Sequence, residues 1–269
     1  MSMPTIQIGL LGLGNVGTGV LNILTHHADM LSQRTGKKLK VKSILVRDLA
    51  KYHHYKMPGV KLTSKPEDIL EDPDIQIVVE AMGGENPAYG FIKQALTSGK
   101  FVVTANKEVV SKHKKEFFEL AKQHKVDIYF EASVGGGIPL IRSLKVGYAA
   151  NQIQSLYGIL NGTTNYILTQ IGDQGMEFDA AIKAAQKLGF AEADPTMDVS
   201  GLDTAYKLSI LAAVAFKVDV QVSDFHYEGI ESVTLKDIQL AKELGYAIKL
   251  LAIGYRMGSA GMVFRYIRR

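Results

Sequence analysis

Apolar runs and helical spacings alternate along the first 130 residues. An apolar run at Thr5–Leu11 stops at glycines, as a buried parallel strand does, and apolar positions from Val16 to Leu31 follow the helical period. The same patterns predict further strands at 39–46, 74–80, 101–104 and 127–130, and helices at 87–98 and 111–125. This alternation is typical of an α/β fold: a Rossmann-type, doubly wound parallel sheet with helices on both faces.

The pattern changes after Glu131. A glycine run at 135–137 followed by Pro139 indicates a boundary or hinge. Beyond it the spacing predicts strands at 155–160 and 247–255 and helices at 163–171, 178–188, 202–216 and 234–244. We therefore predict two domains: a dinucleotide-binding domain at 1–131 and a smaller α+β domain at 132–269.

Composition excludes several classes of protein. With 46% hydrophobic and 22% charged residues, the chain is neither disordered nor a coiled coil. It has no cysteine, which excludes disulfides, thiolate zinc sites and cysteine nucleophiles. No apolar run approaches the ~20 residues that cross a bilayer, and the N-terminus lacks a signal core. We therefore expect a cytoplasmic protein with no membrane partner.

Positive charge is concentrated at the C-terminus. The formal net charge is +4, and the last fifteen residues contain four arginines and no acid, so the remainder is neutral. This distribution predicts no nucleic-acid partner. No element is predicted to follow the strand at 247–255, and the tail differs in composition from the rest of the chain. Both features suggest a truncated chain.

Gly12-Leu-Gly-Asn-Val-Gly17 fits the dinucleotide fingerprint, directly after a buried strand and at the start of a helix. Gly12 allows the tight turn, Gly14 lets the backbone approach a pyrophosphate, and Gly17 allows the helix to pack closely on the strand. The helix N-terminus attracts phosphates. In this position the glycines predict a nucleotide site better than a simple turn.

Arg47 and Asp48 follow the second strand, where the adenosine ribose is normally bound. An arginine suits a 2′-phosphate, so we expect NADP. Asp48 leaves NAD open, since a carboxylate can bind the ribose hydroxyls. A solvated charge at the strand end is the other interpretation of Arg47.

Thr104-Ala-Asn-Lys107 follows a strand at the carboxyl edge of the sheet, where ligands of such folds bind. Lys107 can reach a cofactor or substrate from there. The alternative is a surface lysine that opens the next helix. The helix dipole disfavours a lysine at that end, which favours a function.

Three polar segments of the second half could bind a ligand. Asn161-Gly-Thr-Thr-Asn165 is explained equally well by helix capping or by ligand binding. The acids of the predicted loop at 191–198 could bind an ammonium group or be merely exposed. Asp203 and Lys207 lie four residues apart on one helix face, where an exposed ion pair is the ordinary interpretation. Because that helix is apolar nearly all round, a site is favoured.

In this order the motifs resemble homoserine dehydrogenase. The six matching blocks, which extend over residues 12 to about 253, are Gly-Leu-Gly-Asn-Val-Gly at 12–17, Thr-Ala-Asn-Lys at 104–107, Glu-Ala-Ser-Val-Gly-Gly-Gly-Ile-Pro at 131–139, Asn-Gly-Thr-Thr-Asn at 161–165, Leu-Gly-Phe-Ala-Glu-Ala-Asp-Pro at 188–195 and Gly-Leu-Asp-Thr-Ala-Tyr-Lys-Leu at 201–208. The resemblance implies reversible NAD(P)-dependent interconversion of L-homoserine and L-aspartate 4-semialdehyde in threonine and methionine biosynthesis. It also implies a homodimer, with 132–269 as the substrate-binding and dimerisation domain.

The resemblance assigns roles to individual residues. Lys207 is implied as the acid/base, with Asp203 beside the substrate and Lys107 between nicotinamide and substrate. Substrate binding is implied for Glu192, which takes the amine, and for Asp198, Thr163 and Lys107. Cofactor binding is implied for Gly12, Gly14, Asn15, Val16, Gly17, Arg47, Thr104, Lys107 and Gly189. A sodium ion is implied at Glu131, Val134, Gly136 and Ile138.

Family members usually continue past the last predicted strand, often into a regulatory ACT domain. This departure, together with the acid-free tail, suggests a frameshift or premature stop. Two alternatives to a working homoserine dehydrogenase therefore stay open. One is a cofactor-binding protein without turnover, either a truncated remnant or a redox-sensing module. The other is a two-domain oxidoreductase that acts on a different small alcohol or aldehyde.

Overall fold

The first half of the chain folds around a parallel sheet. A computed structural model describes residues 3–52, 57–257 and 261–268. The chain divides into two compact units, Met1–Ile138 and Pro139–Arg269. The division falls after Ile138, whereas the glycine run predicts a boundary after residue 131.

All six strands of the first unit are parallel, in the order β3-β2-β1-β4-β5-β6. Their bounds are β1 Thr5–Leu11, β2 Lys38–Leu45, β3 Lys61–Thr63, β4 Ile75–Glu80, β5 Phe101–Thr104 and β6 Ile128–Tyr129. This is the strand order of a Rossmann-type sheet, and it confirms the predicted fold class. The sequence did not predict β3, because three residues carry no measurable period.

Five helices connect these strands. They are α1 Asn15–His26, α2 Ala28–Thr35, α3 Glu67–Leu70, α4 Ala88–Thr97 and α5 Lys107–Gln123. The single helix predicted at 16–31 is wrong, because the chain leaves the helix at His27 and starts a new one. The helix predicted at 111–125 starts earlier, since the Asn106 side chain accepts a hydrogen bond from Val109 N and caps it.

The second unit contains a three-stranded antiparallel sheet with helices, as the predicted α+β class requires. Its strands, in the order β7-β8-β9, are β7 Ser155–Gly158, β8 Leu250–Met257 and β9 Gly261–Arg268. Because β9 pairs along the whole of β8, the prediction that the last strand has no return was wrong. This strand was missed because the composition of the segment suggested a truncation, whereas antiparallel pairing needs only backbone hydrogen bonds.

The helices of the second unit are α6 Leu140–Arg142, α7 Gly162–Gln174, α8 Phe178–Lys187, α9 Thr196–Val199, α10 Leu202–Phe216 and α11 Leu235–Glu243. Helix α10 is buried along most of its length, as its apolar composition predicts. Its end packs against Leu156 of β7 through Phe216. Within the described residues, no helix is long and apolar enough to span a bilayer.

A charged network links the segment after β4 to α5. Lys112 Nζ donates to Glu85 Oε2 and Glu108 Oε1, both at 2.7 Å, and His113 Nε2 lies 2.8 Å from Glu85 Oε1. Lys112 and then His113 hold the pKa of Glu85 below its usual range. The sequence analysis missed this pairing because the partners lie far apart along the chain.

Glu85→Gln tests this network through the pH dependence of stability. A lowered carboxyl pKa contributes stability that is present above the ordinary value of 4.5 and is lost as the pH falls through the lowered value. The free energy of unfolding in urea should therefore differ most between wild type and variant near neutral pH, and the difference should shrink below pH 4.5. Glu119→Gln, an exposed change on α5, is the control. A difference that does not vary with pH contradicts the prediction.

Candidate functional site

The glycine loop after β1 is shaped by close backbone contacts. Gly12 has φ +97°, in the left-handed region, and a Cβ there would lie 2.8 Å from the Ala81 carbonyl oxygen. A Cβ on Gly17 would lie 2.2 Å from the Gly12 carbonyl oxygen. Gly14 caps α1, and a Cβ there would meet nothing within 4 Å. The loop therefore packs tightly on one side and leaves space at the helix N-terminus, which fits a pyrophosphate.

A cleft of about 460 Å³ opens beside this loop. Its lining includes Gly12, Gly14, Arg47, Asp48, Lys51 and Tyr52. The Tyr52 hydroxyl donates to the Leu13 carbonyl at 3.0 Å, and so joins the lining to the glycine loop. The sequence analysis named neither Lys51 nor Tyr52, because they lie in a short 3-10 turn without a motif.

Arg47 and Asp48 are both exposed just beyond β2, and both line the cleft. Asp48 Oδ1 accepts a hydrogen bond from the Ala50 backbone at 2.9 Å. Asn15 and Val16 are exposed in the first turn of α1, whereas Gly17 is buried. The structure thus brings these predicted cofactor residues to one edge of the sheet.

Thr104 joins the ends of β4 and β5. Its hydroxyl donates to Glu80 Oε2 at 2.5 Å and accepts from Asn106 N at 3.0 Å. The other oxygen of Glu80 accepts from Met82 N at 2.8 Å, and both side chains are buried. A carboxylate closing a buried strand was the sequence signal for Glu80, and it was overlooked. Lys107 is the first residue of α5 and is half-buried.

Asp203 and Lys207 form a partly buried pair on α10. Lys207 Nζ donates to Asp203 Oδ2 at 2.7 Å and to the Leu160 carbonyl oxygen at 2.8 Å. The side chain of Asp203 is 1% exposed and that of Lys207 is 17% exposed. The ordinary interpretation as an exposed helix pair is therefore wrong. Sequence reasoning could not find the Leu160 carbonyl, since backbone acceptors have no side-chain signature.

Asn161 connects this pair to α9. Its Nδ2 donates to Asp203 Oδ2 at 2.8 Å and to Asp198 Oδ1 at 2.6 Å. Its Oδ1 accepts from Thr164 N at 2.8 Å and caps α7. Asp198 was expected in a loop, but it lies in the short helix α9, which the sequence analysis did not predict.

Of the other predicted ligand residues of this unit, Gly189 and Glu192 lie in the segment 188–193, and Thr163 of α7 contacts that segment. The Thr163 hydroxyl donates to the Phe190 carbonyl at 2.7 Å, and Gly189 has φ +77° just before it. Gln186 Nε2 donates to the carbonyls of Glu192 and Ala193, both at 3.1 Å. The Glu192 residue is exposed. Thr163 and Gln186 thus fix the backbone that carries Glu192.

The residues implied for sodium lie in a tight turn at the end of the first unit. Glu131 starts a 3-10 turn, and Gly135 and Gly136 have φ of +80° and +58°. Ile138 N donates to the Gly135 carbonyl at 3.0 Å. Among the described residues, no group of three or more histidines or acids could hold a metal. One carboxylate with backbone carbonyls is nevertheless a donor set that suits a hard cation.

Comparison with known proteins identifies the family. The family model described as homoserine dehydrogenase, NAD binding domain, matches residues 12–131, and the one described as homoserine dehydrogenase matches 139–265. A crystal structure of a putative homoserine dehydrogenase from Archaeoglobus fulgidus is 30% identical, with a TM-score of 0.84 over 98% of this chain and 84% of that one. The chain belongs to the homoserine dehydrogenase family.

Other homoserine dehydrogenases agree with this assignment. The enzyme from Thiobacillus denitrificans is 45% identical, with a TM-score of 0.93 over 99% of this chain and 61% of that chain. A hyperthermophilic archaeal homoserine dehydrogenase in complex with NADPH is 25% identical, with a TM-score of 0.78 over 98% of this chain and 82% of that one. The chain spans 59% and 58% of the length of two curated relatives it matches. The family resemblance is confirmed, and with it a nicotinamide-cofactor domain.

Gly17→Ala tests the glycine loop of this homoserine dehydrogenase family member. The added methyl group would meet the Gly12 carbonyl at 2.2 Å, so the loop must shift. We expect NADPH affinity, measured by fluorescence titration, to fall at least about tenfold. Gly19→Ala on the same helix is the control, because its Cβ meets nothing within 4 Å. Equal affinities for the two variants would show that the close approach does not shape the site.

Proposed function

We propose that this chain catalyses the reversible NADP-dependent interconversion of L-homoserine and L-aspartate 4-semialdehyde. The observation that carries the proposal is the buried Asp203 carboxylate bonded to Lys207. Burying a charged pair costs free energy unless hydrogen bonds offset the loss of hydration, and such pairs are common at catalytic sites. The dinucleotide loop of the first unit fits the cofactor that this oxidation requires.

The residues of this chain would handle the proton of the reaction. When bound, the cofactor accepts hydride from the carbinol carbon during oxidation and returns it during reduction. Lys207, in its neutral form, takes the proton of the substrate hydroxyl, and its ammonium form returns a proton to the aldehyde oxygen. Asp203 Oδ2 and the Leu160 carbonyl orient Nζ for both directions.

Binding roles follow the family resemblance. The exposed carboxylate of Glu192 is suited to the substrate ammonium group, and Asp198 and Thr163 of the same unit are further proposed substrate contacts. In the first unit, Lys107 is a proposed ligand contact. Thr104 and Gly189 act on the cofactor side through the backbone they position, since the Thr104 hydroxyl is held by Glu80. The residues Asn15 and Val16 offer the first turn of α1 to the phosphates.

Lys207→Ala tests the assignment of the acid/base. With L-homoserine and NADP, we expect kcat to fall by about 10²–10⁴, the usual contribution of a positioned acid/base, with NADPH affinity unchanged. Cofactor reduction followed by absorbance measures it, and Lys183→Ala, an exposed lysine on α8, is the control. Unchanged turnover removes Lys207 from the mechanism. Wild-type protein that binds NADPH without turnover would support the binding-module alternative instead.

The preference for NADP is proposed from the charges at the cleft. Arg47 and Lys51 both line it, and two cations suit a 2′-phosphate. Asp48 already accepts a hydrogen bond from Ala50 N, which leaves its carboxylate less available for ribose hydroxyls. The archaeal relative that is known in complex with NADPH supports the same choice.

Arg47→Ala should reduce the preference for NADP. Losing a charged hydrogen bond to phosphate costs about 10- to 100-fold in binding, so KM for NADP should rise by that factor while KM for NAD stays constant. Steady-state kinetics with both cofactors measure the ratio. Arg34→Ala on α2, which removes the same charge from an exposed position, is the control. An equal rise of both KM values would show that Arg47 does not recognise the 2′-phosphate.

Three further properties are proposed from the resemblance. Sodium would be held by Glu131 and by backbone oxygens around Val134, Gly136 and Ile138, where the left-handed glycines fold the chain back. A homodimer is also proposed. A cytoplasmic location follows from a biosynthetic reaction that draws on the cellular nicotinamide pool.

A further inference from the structure

Asn161 lies in the turn between β7 and α7 and is 4% exposed. Its single amide nitrogen lies 2.6 Å from Asp198 Oδ1 and 2.8 Å from Asp203 Oδ2. An amide nitrogen carries two hydrogens, and each carboxylate accepts one. One side chain therefore bridges two acids that belong to different helices.

The orientation of this amide is determined by its other end. Asn161 Oδ1 accepts from Thr164 N at 2.8 Å and from Thr164 Oγ1 at 2.9 Å. If the amide were flipped, its oxygen would face two carboxylates and its NH₂ would face the Thr164 N–H donor, so these three contacts would become repulsive, and only the Thr164 hydroxyl could adapt by accepting. The backbone of α7 thus forces both hydrogens towards the acids.

Asn161 donates to the same carboxylate oxygen that binds Lys207. Asp203 Oδ2 also accepts from Lys207 Nζ at 2.7 Å, so this buried oxygen has two donors. Two neighbouring carboxylates disfavour each other's ionised form, whereas hydrogen-bond donors favour it. Residue 160, directly before Asn161, supplies the carbonyl that accepts the second Lys207 bond. A single turn of chain therefore orients both members of the Asp203–Lys207 pair.

We propose that Asn161 is a positioning residue for the reaction: by donating to both Asp198 and Asp203 it fixes the carboxylate that orients Lys207. This inference rests on the proposed function and adds a residue that acts through Asp203. It also explains why this turn contains asparagine, since serine or threonine could cap α7 but could not donate to two acids.

Asn161→Ser separates the two roles of the side chain. Serine keeps an acceptor for the N-terminus of α7, but it has only one hydroxyl hydrogen. We expect kcat for homoserine oxidation to fall at least about tenfold, with KM for NADP unchanged. Asn151→Ser, an exposed change in the same unit, is the control.

A purely structural capping role would lower the thermal midpoint without lowering kcat at a temperature where the variant is folded. An unchanged kcat in a folded Asn161→Ser protein would overturn the proposal. If the variant fails to fold, the side-chain amide resonances of Asn161 in the wild-type protein provide the test.

That second measurement needs no activity. In ¹⁵N-labelled wild-type protein, the side-chain amide of Asn161 is identified as the resonance pair missing from Asn161→Ser or, if that variant fails to fold, by through-bond assignment. We expect slow solvent exchange of both hydrogens, with one shifting in Asp198→Asn and the other in Asp203→Asn. Exchange as fast as that of the exposed Asn151 amide would overturn the bridge. Absence of homoserine turnover in wild type would instead refute the proposed function and leave the amide result standing.

Discussion

The burial of one carboxylate governs how the second unit is arranged. Asp203 is almost completely enclosed on α10, and a buried charge is costly unless it is paired and hydrogen-bonded. Its donors come from the same helix, through Lys207, and from the turn before α7, through Asn161. Because Asn161 also bonds Asp198, helix α9 is held by the same contacts. Three elements that are separate in sequence therefore meet at one charge.

The first unit reaches its binding geometry by a different route. Its cleft depends on backbone proximity, since a Cβ on Gly17 would meet the Gly12 carbonyl oxygen and a Cβ on Gly12 would meet the Ala81 carbonyl oxygen. The neighbouring strand ends are linked by the hydrogen bonds from Thr104 and Met82 to the buried Glu80 carboxylate. A phosphate is recognised by main-chain N–H groups and a helix dipole, so the required feature is space rather than a side chain.

The proposed functions of the two units differ in the same way. A cofactor common to many enzymes is bound by a loop whose glycines provide shape, whereas the specific reaction depends on a set of polar side chains held by one another. Such a network fixes a lysine amine only if every member has its partner. The fixed orientation of the Asn161 amide, set by Thr164, therefore supports the proposed position of the lysine amine.

Local patterns were sufficient for five of the six strands of the parallel sheet, for the glycine loop and for the spacing of Asp203 and Lys207. These features depend on residues close together in sequence, where the strand and helix periods and the fixed turn requirements of glycine operate. Tertiary structure alone decided that Asp203 is buried, that Asn161 bridges two acids, that His113 pairs with Glu85, and that β9 returns along β8. Hydrogen bonds between distant residues leave no period in a sequence, because they depend on where the packed elements bring each polar atom.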